Sequence, residues 1–310
     1  MPAFNLFLTR TRNGERAGRH IARDRRACCN IGILPHGDRC HEIGVAAHEG
    51  IVFDDRTIFM LSVVVDRDRP ASHINVSEHK AMRCDQLTQK YAVRAQVGAE
   101  AFLPRIAALI LAVKPGVAAA AMRETAPLLR ADALVLSIVA GLTIEEIEAS
   151  YPNHPVVRAM PNTPLAVGAG MSAFACGTHA GVAECELAEL LLGSAGRTVE
   201  VHEGELDAVT GLSGSGPAYA FLMLEALVEG GVAAGLKRET ASVLAAQTIL
   251  GAAQMMLVSK SSPADLRAVV TSPAGTTAAG LRVLEHAGVR SGLIEAVLAA
   301  TERSKELGKH

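Results

Sequence analysis

Between residues 74 and 160 short apolar runs alternate with amphipathic stretches of helical period. The pattern predicts strands at 74–77, 107–113, 133–139 and 155–159, and helices at 81–91, 116–129 and 143–150. Apolar strands separated by helices imply a parallel sheet covered on both faces and joined by right-handed crossovers. Sheets of this kind take ligands at the carboxyl ends of their strands. Three polar or turn-forming clusters fall at those ends: Lys114-Pro115, Ala140-Gly141, and Met160-Pro161-Asn162-Thr163-Pro164. They are expected to converge on one crevice.

Beyond Glu205 the pattern is helical throughout. Tyr219, Leu222, Met223, Ala226, Leu227 and Gly230 share one helical face, while Phe221, Leu224 and Val228 make other faces apolar as well. Residues 241–258 behave in the same way. Helices apolar on several sides need cover on several sides, and a domain this small supplies too little of it, so a second subunit is expected to bury them. Ser262-Pro263-Ala264-Asp265 starts a helix with a capping hydroxyl, a first-turn proline and an acid three residues on. That helix is expected to end near Val270. The turn Thr271 to Thr277 then opens another helix over 278–284.

Several of these features carry two readings. The 271–277 turn is either a capped interhelix turn, the commoner case, or a carboxylate site built from free backbone N–H groups and a helix dipole. Gly211 to Tyr219, a small-residue turn, serves either a ligand or close helix packing. Lys114 is either a solvated strand end or a cation beside a phosphate or ribose.

Composition narrows the chemistry. The chain of 310 residues is 49% hydrophobic and 20% charged, so it can form one large core or two ordinary ones. A net charge of −2, with 3% aromatic residues and no Trp, argues against a nucleic-acid partner and favours a small polar substrate. Cys28, Cys29, Cys40, Cys84, Cys176 and Cys185 follow no zinc-ligand spacing and are too few for a disulfide scaffold. The expectation is a reduced, cytoplasmic protein with no metal. The longest strongly apolar run, 106–113, is far shorter than the roughly 20 residues of a membrane helix, and no span is expected. The first 79 residues hold no lysine and are crowded with Arg, Cys and His, which sets a compositional boundary near Pro70.

Val270 to Glu285, VTSPAGTTAAGLRVLE, and Asp207 to Tyr219, DAVTGLSGSGPAY, resemble the pyrroline-5-carboxylate reductase family. Ala112-Val113-Lys114-Pro115, Val139-Ala140-Gly141 and Arg158 to Pro164 stand in that family's order, and the resemblance runs from about Ile74 to Lys309. It implies an α/β Rossmann-type N-terminal domain over 74–200 and an all-α dimerisation domain over 201–310, with residues 1–73 an atypical segment. The active site would lie between the two domains. The implied activity is NAD(P)H-dependent reduction of 1-pyrroline-5-carboxylate to L-proline, in a homodimer or higher homo-oligomer. NADPH is the expected cofactor, with NADH the alternative.

By resemblance, Thr277 hydrogen-bonds the imine nitrogen and is the catalytic residue. The amides of Gly275, Thr276 and Thr277 hold the carboxylate, and Glu203 and Ser215 line the substrate side. Ala112, Val113, Lys114, Pro115 and Ala140 border the nicotinamide half of the cofactor. Ser77 would face a 2′-phosphate, although Glu78 beside it suits a free 2′-hydroxyl.

The family's glycine-rich phosphate turn has no sound copy, so the first βαβ unit reads as atypical or defective. The nearest candidate, Ile31 to Gly37, has Pro35 where the first turn glycine belongs, and Pro supplies no N–H. Residues 1–69 are then either text foreign to the family or a divergent half-domain. A second function class follows: a dimeric but catalytically silent relative. Ala274 stands where a glycine is usual after Ser-Pro, which requires a negative φ, and Val269 where some relatives carry a polar residue.

Overall fold

The computed structural model describes residues 59–64, 73–78, 80–91 and 93–308. The α/β part contains β1 (Phe59–Val64), β2 (His73–Ser77), α1 (Ala81–Tyr91), β3 (Arg94–Gln96), β4 (Ala108–Ala112), α2 (Pro115–Thr125), β5 (Leu134–Ser137), α3 (Ile144–Ser150), β6 (Val156–Pro161), β7 (Gly170–Cys176), α4 (Val182–Gly193) and β8 (Gly196–Glu200). The strands make one sheet in the order β3-β2-β1-β4-β5-β6-β7-β8.

Side-chain alternation fixes its two cores. From β4, Leu109 and Leu111 join Val135, Ile144, Ile147 and Val156 on one face. Ala108 and Ile110 go to the other, with Leu136, Val157, Phe174, Leu191 and Leu192. Burial on both faces explains why β4 and β5 read as continuous apolar runs.

The sheet is mixed, which corrects the wholly parallel expectation. β2 pairs β3, β4 pairs β5, β5 pairs β6 and β7 pairs β8 in parallel. β7 is antiparallel to β6 because a connection of residues 162–169 is too short for a crossover. β1 lies between β2 and β4, antiparallel to both. The candidate phosphate turn at 31–37 falls outside the described residues.

Local signals set the helix starts. Thr143 and Glu146 form a reciprocal cap at α3, and Pro115 opens α2 behind Lys114. Thr125 at the end of α2 donates to the Ala121 carbonyl at 2.7 Å, which leaves it to accept from the Tyr151 hydroxyl at 2.5 Å. Burial pushes the Tyr151 phenol up to about 12.

The remainder is helical: α5 (Leu206–Val209), a π-type turn at Thr210–Gly214, α6 (Gly216–Ala233), α7 (Arg238–Val258), α8 (Pro263–Val269), α9 (Thr276–His286) and α10 (Val289–Leu307). α6 packs on α7, and α10 returns to pack on α5 and the π-type turn. That return needs Gly211, where a Cβ would lie 2.6 Å from the Val297 carbonyl oxygen. Ser304 of α10 donates to Asp207 at 2.6 Å.

As expected of helices that need the cover of a second subunit, α6 and α7 are not covered on several sides within one chain: α6 has no buried residue and α7 only Ala241 and Ala245. Phe221, Leu222, Leu244, Leu250, Met255 and Met256 are each more than half exposed. α7, at 21 residues, is also long and apolar enough to cross a membrane by length and composition, a segment that counting uninterrupted apolar runs overlooked. The cysteines are not all reduced, since Cys176 and Cys185 form a disulfide. The short turn between β7 and α4 brings their Cα atoms to 6.3 Å.

Candidate functional site

Parallel pairing brings the carboxyl ends of β4 and β5 side by side. Leu111 registers with Ser137, so the segments that follow, Ala112 to Pro115 and Ile138 to Gly141, leave the sheet together. Val113 is buried, Ala112 and Ala140 are half-buried, and Lys114 and Pro115 are exposed at the N-terminus of α2. Ser77 ends β2 on the same edge. Met60 of β1 registers with both Ser77 and Leu111, which sets these two strand ends about 10 Å apart. The structure thus gathers all six candidate cofactor residues at one edge of the sheet.

Besides Leu206 of α5, which is buried in one core of the sheet, three specific contacts dock the helical part there. Gly141, at φ +79°, lies against the end of α10, where a Cβ would meet the Leu307 carbonyl oxygen at 3.1 Å. Glu203 accepts from the Ile144 amide at 2.7 Å and from Arg158 Nη1 at 3.0 Å, tying the entry to the helical part to α3 and β6. Asn162, just beyond β6, accepts from the Met171 amide and donates its Nδ2 to the carbonyl and hydroxyl oxygens of Ser213. Ser215 is half-buried at the start of α6 and donates its amide to the Thr210 carbonyl. Asn162 stood in a strand-end cluster read from sequence and Arg158 in a family motif, but neither was given a role, because their partners are 51 and 45 residues distant. The polar residues at the end of an apolar strand were the available signal.

Gly275, Thr276 and Thr277 sit elsewhere. Gly275 caps α9, and Thr276 and Thr277 are exposed in its first turn. α9 packs on α10 and makes no extensive contact with the sheet. One chain therefore carries the strand-end cluster and the hydroxyl-rich helix start without joining them.

The family model described as pyrroline-5-carboxylate reductase dimerisation matches residues 203–307. A pyrroline-5-carboxylate reductase of Synechocystis is 43% identical over 247 residues, covering 80% of this chain and 92% of the relative. The chain belongs to the pyrroline-5-carboxylate reductase family. Among solved structures, a pyrroline-5-carboxylate reductase of Coxiella burnetii is 36% identical with a TM-score of 0.71, covering 76% of this chain and 88% of its own. A Plasmodium falciparum pyrroline carboxylate reductase solved with NADP bound is 32% identical with a TM-score of 0.66, covering 71% and 84%.

Two details of the 271–277 turn depart from the features that the family resemblance implies. Ala274 has φ +57°, the left-handed region, and not the negative value that an alanine there required. The Gly275 amide donates to the Ser272 carbonyl at 3.1 Å, so it is already engaged. The open donors of this helix start are the amides of Thr276, Thr277 and Ala278, which precede the first intrahelical bond, from the Ala279 amide to the Gly275 carbonyl. Among the described residues no cluster of three or more His, Cys, Asp or Glu could hold a metal.

Proposed function

We propose that this chain is an NAD(P)H-dependent pyrroline-5-carboxylate reductase that forms L-proline in the cytoplasm. Its dinucleotide domain spans 74–200 and its dimerisation domain 201–310. The match over 92% of a 43% identical reductase carries the reading. The described residues fit the nicotinamide half of the cofactor, because Ala112, Val113, Lys114, Pro115 and Ala140 converge where such sheets take ligands. When bound, the cofactor supplies a hydride to the substrate's C=N carbon.

The chain's own residues orient the substrate. The Thr276 and Thr277 amides, with the positive end of α9, hold the carboxylate, the dipole adding about 0.3–1 kcal/mol. The Thr277 hydroxyl hydrogen-bonds the imine nitrogen, whose protonated form is the better acceptor. Glu203, held by Arg158, and Ser215 complete the substrate side. The protein works as a homodimer: the exposed apolar faces of α6 and α7 bury against a second copy, which brings an α9 turn to the strand ends. Purified chain incubated with 1-pyrroline-5-carboxylate and a reduced nicotinamide cofactor should yield proline by amino-acid analysis. Absence of proline from a folded, dimeric preparation would refute the proposal.

A further inference from the structure

Asn162 occupies the N-cap position of the short helical turn Thr163–Val167, where an Asn side chain ordinarily accepts from that turn's own amides. Here it makes no such bond. Its Oδ1 accepts from the Met171 amide at 2.8 Å, and its Nδ2 donates to the Ser213 carbonyl at 3.3 Å and to the Ser213 hydroxyl at 3.2 Å. A backbone N–H on one side and a carbonyl on the other fix which way the amide points. Its side-chain hydrogen bonds therefore lead away from its own turn, to the start of β7 and to the helical part.

The Ser213 carbonyl needs that donor. In an α-helix it would accept from the amide four residues on, but residue 217 is a proline and has no N–H. The Ala218 amide, five residues on, donates to the Ser215 carbonyl at 3.0 Å, and the Ser215 amide to the Thr210 carbonyl at 2.9 Å. Asn162 thus supplies, from the end of β6, the hydrogen bond that Pro217 withholds. Gly214 lies over Met160 of β6, where a Cβ would come to 3.1 Å from the terminal methyl carbon, so the same strand end also supports the turn by packing.

Ser215, two residues beyond this bond, lines the proposed substrate side, and β6 is the sheet neighbour of β5, whose end leads to Ala140. We infer that Asn162 is a positioning residue: through Ser213 it sets where Ser215 stands relative to the cofactor edge of the sheet. The inference rests on the proposed reductase function and assigns a further residue to the geometry of that reaction. A misplacement of about 1 Å can cost a hundredfold in rate, so loss of this tie acts on catalysis without touching a reacting atom.

Asn162→Asp tests this directly, because it keeps an acceptor for the Met171 amide and replaces the donor by an oxygen that the Ser213 carbonyl repels. In the full-length chain the KM for 1-pyrroline-5-carboxylate should rise about tenfold and kcat should fall. The dissociation constant of NADPH, followed by the fluorescence of the reduced nicotinamide, should stay within about threefold of the parent's. A smaller folded fraction alone would lower kcat at unchanged KM. Asn162→Ala, which drops both bonds and brings in no charge, should show the same KM shift and repeats the test if the charged variant fails to fold. An unchanged KM in a folded variant, with the parent forming proline, would overturn the inference and leave the reductase reading standing. An equal loss of cofactor affinity, or failure of both variants to fold, would overturn it as well, the latter by assigning Asn162 to folding alone. No proline from the parent chain would overturn both.

Discussion

Ala274 holds a left-handed φ of +57° immediately before the turn that opens α9. An L-residue with a Cβ pays about 1–2 kcal/mol in that region, whereas glycine enters it without penalty. Ala274→Gly should raise stability by about 1 kcal/mol after the greater unfolded-chain entropy of glycine is subtracted, read as a higher Tm in thermal unfolding. A lower Tm would mean that the turn does not need a left-handed residue there. Thr277 is expected to act on rate. Thr277→Ala should lower kcat about ten- to hundredfold, the worth of one charge-assisted hydrogen bond, and leave cofactor affinity unchanged. Thr277→Ser should keep most of the rate. Equal loss in both variants would point to packing by the methyl group and not to the hydroxyl.

Tyr151 joins two elements, since its hydroxyl meets Thr125 at the end of α2 while its ring follows α3 into the core. Its folded pKa, about 12, lies above the ordinary value near 10. The folded state thus binds this proton more tightly than the unfolded one. The associated stability is complete below pH 10 and is lost as pH rises through 12. Denaturant unfolding across that range should show the decline in the parent, and Tyr151→Phe should remove this component of it. An unchanged pH dependence in the variant would exclude Tyr151 as its source. Elements buried on both faces, such as β4 and β5, were legible because continuous apolar runs bounded by turns have few other uses. The start of α8 was legible from Ser262 and Asp265, which do form its reciprocal cap. β3 and β8 escaped notice because they are short and mostly exposed, so their apolar pattern is faint. The direction of β1 is hidden in principle: a period of two reads the same forwards and backwards. The Asn162 and Arg158 contacts required the fold, because each joins residues more than forty positions apart.

The exposed apolar faces of α6 and α7 are the largest departure from a self-sufficient chain. Phe221 and Leu222 are 63% and 67% exposed, and the match to a dimerisation family spans both helices. Phe221→Glu should shift the chain from dimer to monomer in sedimentation and abolish proline formation, while the sheet domain keeps its fold. A stable, active dimer in this variant would locate the subunit contact elsewhere. Loss of activity on dissociation follows from the geometry, because the strand ends of one chain do not meet its own α9 turn. The whole account depends on hydride passing from a nicotinamide held at the β4 and β5 ends to the imine carbon of a substrate anchored at Thr276 and Thr277. Supplying reduced cofactor carrying deuterium at the transferred position of the nicotinamide ring and analysing the proline by mass spectrometry and NMR tests that transfer directly. The account predicts one deuterium per proline, at C5; proline free of deuterium would contradict it.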